Sequence, residues 1–315
     1  MDQLTHFLDG PRARRAFALR VVMDPPFSID VRDEAPLTII AVLSGTAWLL
    51  ADGDEVELRP GDVAVVRGPD PYRVADTPGT GPGIIIHPGQ ACTTVDGADV
   101  QFSLTQGIRS WGNSDTGGTV MLIGTYETDA EIGVAVTAAL PRIALVPAHQ
   151  VNTTVLTLLE SEMATDAPSQ GTIIDRLLDV LLVHAVRAWV EAHPNAATGW
   201  VAASADPLVA RAVDLMHNRP GEDWTIDSLA VRLAVSRATL ASRFRSIVGE
   251  PPGSYLTKWR MLLASELLAD PGATTARIAA DVGYGSAFAL STAFKRRFGL
   301  SPSEYRRLKY GARAS

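Results

Sequence analysis

The chain has 315 residues, 46% of them hydrophobic and 20% charged, with a net charge of −7 and one cysteine. At roughly 100–200 residues per domain this length predicts two domains, each able to bury a core, and the composition excludes global disorder. No run reaches the ~18 apolar residues of a membrane span, residues 1–17 lack a secretion signal, and a lone Cys92 excludes an internal disulfide or a Cys-rich metal site.

Residues 20–100 read as short strands separated by turns. Ile39–Leu43 runs into Ser44-Gly45, Ala47–Leu50 into Asp52-Gly53, and Val56–Leu58 into Pro60-Gly61-Asp62 ahead of Val63–Val66. Gly83–His87 then meets Pro88-Gly89, and strand-like pieces recur at Val100–Leu104 and Thr119–Ile123. Short apolar strands at regular spacing, with Gly, Pro and Asp between them, predict an antiparallel sandwich or barrel reaching about residue 130.

The period changes after Pro147. Val155, Leu158, Leu159 and Met163 recur at helical spacing, and a break follows at Asp166–Ser169. Ile174, Leu177, Leu178, Leu181, Ala185 and Trp189 then make one apolar stripe on a helix of about 20 residues ending near His193-Pro194. Such a stripe packs on the β domain or pairs with its copy in a second subunit, so the helical segment 150–194 is a dimerisation candidate. Residues 195–206 are small and weakly charged, which is linker composition. They divide a first domain, 1–194, from a second, 207–315.

The charge is unevenly shared. Residues 206–315 hold 16 Lys and Arg against 10 Asp and Glu, a balance of +6, which leaves −13 on the first 205. A basic C-terminal third on an acidic body suits a domain that meets a polyanion, although a solvated surface gives the same balance.

A repeat sharpens this. Residues 236–255 align with 286–305 at an offset of 50 without a gap. Ser236, Leu240, Phe244, Gly249, Pro252 and Tyr255 match Ser286, Leu290, Phe294, Gly299, Pro302 and Tyr305. Each copy predicts a helix capped by its serine, with Leu and Phe inward at i and i+4 and a stop at its glycine. A shorter helix precedes each one. Ile226, Leu229, Ala230 and Leu233 form the first, turning at Ala234-Val235; Ile278, Ala279 and Val282 form the second, turning at Gly283-Tyr284-Gly285. A short helix, a tight turn and a capped helix with polar outward positions make a helix-turn-helix, here in two copies joined by the helical run Pro252–Leu268.

At these residues the sequence resembles the AraC/XylS family of transcriptional regulators. The resemblance lies in residues 223–256 and, more specifically, in IAADVGYGSAFALSTAFKRRFGLSPSEYRR at 278–307. ELRPGDVAVVRGPDPY at 57–72 and IIIHPGQ at 84–90 are similar to the cupin-type sensor of many such regulators. The resemblance implies an α+β multidomain protein: an N-terminal cupin-like β-barrel with a helical dimerisation segment, and a C-terminal all-α double helix-turn-helix domain. It also implies that helices Arg237–Val248 and Ala287–Phe298 enter successive major grooves of operator DNA. Base-reading positions then fall on Ala238, Ala241 and Ser242, with Arg237 beside them, and on Phe288, Ser291 and Thr292, with Ala287 a further DNA-binding candidate. The arginine common in the family at the Ser242 and Thr292 positions is absent from both helices, which removes the bidentate contact to guanine. Arg243, Arg245, Lys295, Arg296 and Arg297 are phosphate-contact candidates, each weighed against a solvated surface role.

A metal-dependent cupin enzyme is the rival class for the first domain. It needs two or three His with a Glu, whereas His87 is the only His between residues 20 and 140, so no metal, cofactor or catalytic residue is expected. Trp48, Tyr72, Arg73 and His87 are effector-binding candidates, each weighed against a place in the core. Cys92 is a redox candidate, although with no resolving partner its oxidation stops at sulfenate or bridges two subunits. The expectation is thus a cytoplasmic, homodimeric, DNA-binding regulator controlled by an unnamed small-molecule effector, with RNA polymerase as a further candidate partner and no membrane association. The alternative is a cupin-like ligand-binding protein or enzyme whose helical tail binds protein.

Overall fold

The computed structural model describes residues 17–107, 109–126, 140–164, 167–193, 203 and 206–310, and these fall into two compact units that divide after His193. Of the expected linker, 195–206, all but Ala203 and Asp206 lie outside the described residues.

The N-terminal unit begins with β1 (Phe17–Met23), β2 (Ser28–Val31), β3 (Leu37–Ser44) and β4 (Ala47–Ala51). Next come β5 (Asp54–Leu58), β6 (Val63–Arg67), β7 (Tyr72–Ala75), β8 (Ile84–Ile86) and β9 (Cys92–Thr94). The last strands are β10 (Thr105–Gly107), β11 (Ser110–Gly112), β12 (Thr119–Tyr126) and β13 (Ile143–Val146). One sheet runs β10-β11-β1-β12-β3-β6-β13 and the other β5-β4-β7-β2-β8-β9. Most pairs are antiparallel; β1 with β11 and β2 with β8 are parallel. The inner faces meet in a core of Val21, Ile40, Val42, Leu49, Leu58, Ala64, Val66 and Met121.

Turn chemistry sets several of these strands. Asp52 and Gly53 both take positive φ, 53° and 89°, which is the two-residue turn that matches the twist of the β4–β5 hairpin. β4 alternates buried and half-buried residues because one of its faces meets water, whereas the first six residues of β3 are all buried. A continuous apolar run of this kind needs cover on both faces. Two helices provide it: α1 (Thr153–Met163), capped by Asn152, and α2 (Gln170–Ala192). They pack on each other, and α2 lies against β6 and β13.

The stripe proposed for self-association is occupied within the chain. Leu178, Leu181, Ala185 and Trp189 are buried, and Leu178 lies so close to Gly124 of β12 that a β-carbon there would stand 2.7 Å from its Cδ2. The Tyr126 hydroxyl donates to the Leu178 carbonyl at 2.8 Å, which fastens strand to helix. Packing on the domain's own sheet therefore uses the face that period alone left open to a second subunit. A second correction concerns Val100–Leu104, which is turn rather than strand: the Leu104 amide and the Ser103 hydroxyl both donate to the Val100 carbonyl.

The C-terminal unit is all helix. It contains α3 (Pro207–Asn218), α4 (Ile226–Arg232), α5 (Arg237–Val248), α6 (Pro252–Leu267), α7 (Thr275–Asp281), α8 (Ala287–Phe298) and α9 (Pro302–Tyr310). Asp206 caps α3, accepting from the amides of Leu208 (2.9 Å) and Val209 (3.1 Å), so it belongs to this unit. The repeat reappears as packing. Phe244 meets Tyr255 edge-on at 5.6 Å and 70°, and Phe294 meets Tyr305 at 5.2 Å and 83°, each a buried pair.

Candidate nucleic-acid interface

Each motif is a helix, a left-handed turn and a capped second helix. In the first, Ala234 takes φ 55° after α4, and the Val235 amide reaches back to the Ala230 carbonyl at 3.0 Å. In the second, Gly283 takes φ 76° after α7, and Tyr284 reaches the Ala279 carbonyl at 2.7 Å. The second turn then carries one more residue, Gly285, before its capping serine. Ser236 accepts from the Thr239 amide at 3.0 Å and Ser286 from the Ala289 amide at 3.1 Å. These hydroxyls satisfy donors that the first helical turn leaves without partners. α5 and α8 end at Gly249 and Gly299, with φ 87° and 75°.

Burial fixes how each second helix is turned. Leu240 and Phe244 are buried on α5, as are Leu290 and Phe294 on α8. Ala238, Ser242 and Arg245 stand exposed at the equivalent positions to Phe288, Thr292 and Lys295, while Ala241, Ala287 and Ser291 are half-buried at the margin. All of the sequence-derived base-reading positions therefore lie on the outer side or its edge. Phe288 is 81% exposed, an unusual place for a phenyl ring outside an interface. The Thr292 hydroxyl donates back to the Phe288 carbonyl at 3.0 Å, so outward it offers lone pairs and a methyl group.

The cations differ in freedom. Arg243 is held by Asp206 at 2.5 Å, and Arg237 pairs with Asp227 at 3.3 Å. Burial raises the Asp206 pKa, but the Val209 and Leu208 amides and the Arg243 guanidinium outweigh it and hold the carboxyl below its usual range. Arg245, Lys295, Arg296 and Arg297 are exposed and make no ion pair among the described residues. The two motifs are tied together through α6. Arg260 donates to the carbonyls of Pro220 (2.9 Å) and Glu222 (2.6 Å), and Gly283 sits directly against its guanidinium.

The barrel holds a cavity of about 250 Å³ between its sheets. Leu19, Val21, Ile29, Ile86, Trp111 and Ile123 give it apolar walls, with Asp33, Tyr72, Gln90, Cys92 and Thr125 supplying polar atoms. Of the four effector candidates, Tyr72 lines this cavity. Trp48 lies on the other face of β4, Arg73 lines a separate acidic hollow with Asp30, Asp52, Asp54 and Glu55, and His87 bonds Thr93 at 2.8 Å. Burial raises the Tyr72 phenol pKa and pushes the Cys92 thiol up, away from the thiolate that oxidation requires. Among the described residues no group of three or more His, Cys, Asp or Glu gathers to hold a metal ion.

Comparison with known proteins joins the two units. A family described as cupin matches residues 2–191, and a helix-turn-helix domain family matches 229–308. A Streptomyces lividans chain named as an AraC-like transcription regulator is 38% identical over 289 residues, 88% of this chain and 89% of that one. One of the same name from Streptomyces antibioticus is 32% identical over 98% of this chain and 99% of its own length. The chain belongs to the AraC-like transcription regulators. Among solved structures, the DNA-binding domain of AdpA, a global transcriptional factor in complex with a target DNA, is 36% identical; the match covers 35% of this chain and 96% of that one, with a TM-score of 0.32.

This AraC-like regulator is accordingly a DNA-binding transcription regulator with a cupin-like N-terminal domain. Sequence reasoning passed over several residues that shape it. Asp206-Pro207, followed by Val209, Ala212, Val213 and Met216, carries the cap and period of α3. Trp111, Asp33 and Gln90 line the cavity from distant segments with no shared local signal. No helix among the described residues is long and apolar enough to cross a membrane.

Proposed function

We propose that this regulator binds its operator as a homodimer whose DNA affinity is set by a small molecule held in the barrel. The cavity carries this reading: about 250 Å³ with apolar walls and a few convergent polar groups is the composition of a small-ligand site. In this reading the protein does no chemistry of its own, acts in the cytoplasm and presents bound DNA to RNA polymerase. Ala238, Ala241 and Ser242 of α5, and Phe288, Ser291 and Thr292 of α8, face the bases. Exposed apolar residues support self-association: Ile173 (43%) and Val180 (41%), two turns apart on α2, and Leu158 (51%) on α1.

Native mass spectrometry of the purified chain tests both parts. The expected result is a dimer carrying extra mass, and an Ile123→Trp variant, with its cavity filled, that is a dimer of bare chains. A monomer removes the dimer, and a carried mass that survives Ile123→Trp removes the cavity as its seat.

A further inference from the structure

The two motifs share a fold but not a charge. Residues 206–256, which contain the first, hold six Lys and Arg against six Asp and Glu; residues 257–315, which contain the second, hold ten against four. The whole +6 of the domain therefore belongs to its second half. The outer stripe of α5 reads Ala238, Ser242, Arg245 and Ser246, and the equivalent stripe of α8 reads Phe288, Thr292, Lys295 and Arg296. Arg297 replaces Ile247 beside it, and where the first helix is followed by Glu250 the second is followed by Leu300.

Ion pairing widens the difference. In the first half Arg219, Arg237 and Arg243 are held by Glu222, Asp227 and Asp206. In the second half the cations used internally lie away from the α8 stripe: Lys258 pairs with Glu250, Arg277 with Asp281, and Arg260 and Arg306 bind carbonyls. Lys295, Arg296 and Arg297 are left exposed together in the last turn of α8.

We propose that the second motif is the electrostatic anchor of the DNA-binding domain, with Lys295, Arg296 and Arg297 on phosphates, and that helix α5 adds at most one such contact, through Arg245. The first helix then reads DNA through small side chains in close contact, where Ala238 and Ala241 let its backbone approach the base edges. Phosphate contacts position a protein and base contacts specify its site, so both second helices read bases while the positioning charge falls mainly to the second motif. This inference rests on the DNA-binding assignment and goes beyond it. A purely structural role for the three cations, as favourable charges at a helix C-terminus, leaves the salt dependence of DNA binding untouched.

The test is the affinity of the full chain for a random-sequence 30-bp duplex, measured between 50 and 200 mM salt. Each phosphate contact contributes about 0.9 to the slope of log affinity against log salt, so three account for a slope of ~2.7 and about a 40-fold loss over that fourfold range. Lys295→Gln/Arg296→Gln/Arg297→Gln should abolish about that much of the wild-type salt sensitivity. Arg237→Gln/Arg245→Gln, in which Arg245 alone is unpaired, should flatten the slope by at most about 0.9. If the triple variant does not fold, Arg296→Gln alone should flatten the slope by about 0.9. An unchanged slope in the α8 variants, or a flattening beyond about 0.9 in the α5 variant, overturns this assignment of the anchor. A wild type with no salt dependence instead removes DNA binding itself.

Discussion

The left-handed turns of the two motifs give a paired test of what holds them. The same backbone conformation is made by Ala234 in the first motif and by Gly283 in the second. An L-residue in this region costs about 1–2 kcal/mol, and exchanging alanine for glycine returns about 0.4–1 kcal/mol of that through the freer unfolded chain. Ala234 is exposed, so these terms act alone, and Ala234→Gly should stabilise its motif by about 0.5–1 kcal/mol. Gly283 has no such room. A β-carbon there would lie 2.6 Å from Arg260 Nη2 and 2.8 Å from the Pro220 carbonyl oxygen. The guanidinium cannot simply swing aside, because it is bonded to Pro220 and Glu222, and overpacking of this kind adds about 1–3 kcal/mol. Gly283→Ala should therefore cost about 2–4 kcal/mol in total. Native-state hydrogen exchange on the full chain reads each motif locally. Amides of α7 and α8 should lose about 30- to 1000-fold of their protection in Gly283→Ala, and those of α4 and α5 should gain about 2- to 5-fold in Ala234→Gly. Protection in Gly283→Ala within threefold of wild type would refute the clamp between Arg260 and the second turn.

Further outcomes follow from other contacts. Tyr126→Phe removes the hydroxyl donor to the Leu178 carbonyl, which keeps its partner within the helix, and should lower the unfolding free energy of the barrel by about 0.5–1.5 kcal/mol, read by urea denaturation. Asp206 is held below its ordinary range, so its stabilisation is complete above about pH 4 and is lost as the pH falls through the lowered value. Asp206→Asn keeps the cap but gives up the titration, and acid unfolding of α3, followed by exchange, should lose that step. Ser242→Arg and Thr292→Arg should each change the preferred base at one or two operator positions in a selection from random DNA, with the melting temperature unchanged. Leu290→Arg, its control, buries an unpaired charge and should unfold the second motif; an unaltered selected site in both surface variants would place these residues off the bases.

The helix-turn-helix pair was readable because its determinants are local. A serine, a Leu–Phe pair four residues apart and a glycine fall within fourteen residues, and the structure uses each as cap, core and stop. The barrel was readable mainly where apolar runs are bounded by strong turns, as in β3 to β6 around Gly45, Asp52-Gly53 and Pro60-Gly61, and in β8 ahead of Pro88-Gly89. Strands of three or four residues such as β7, β9, β11 and β13 depend on partners far along the chain. Period showed that α2 has an apolar face but not what covers it. The one available hint was a glycine inside an eight-residue strand, TVMLIGTY, and Gly124 is the place where Leu178 approaches. The cavity was least readable, since Trp111 and Tyr72 reach it from opposite sheets.

Strand β12 is a party wall. Ile123 and Thr125 look into the cavity, while Gly124 and Tyr126, the alternate residues of the same pleat, carry helix α2. The thickness of one backbone is all that separates a molecule lodged in the barrel from the helix outside it. A molecule held there in the proposed way would touch Ile123 and Thr125, whose neighbours Gly124 and Tyr126 are the residues on which Leu178 leans.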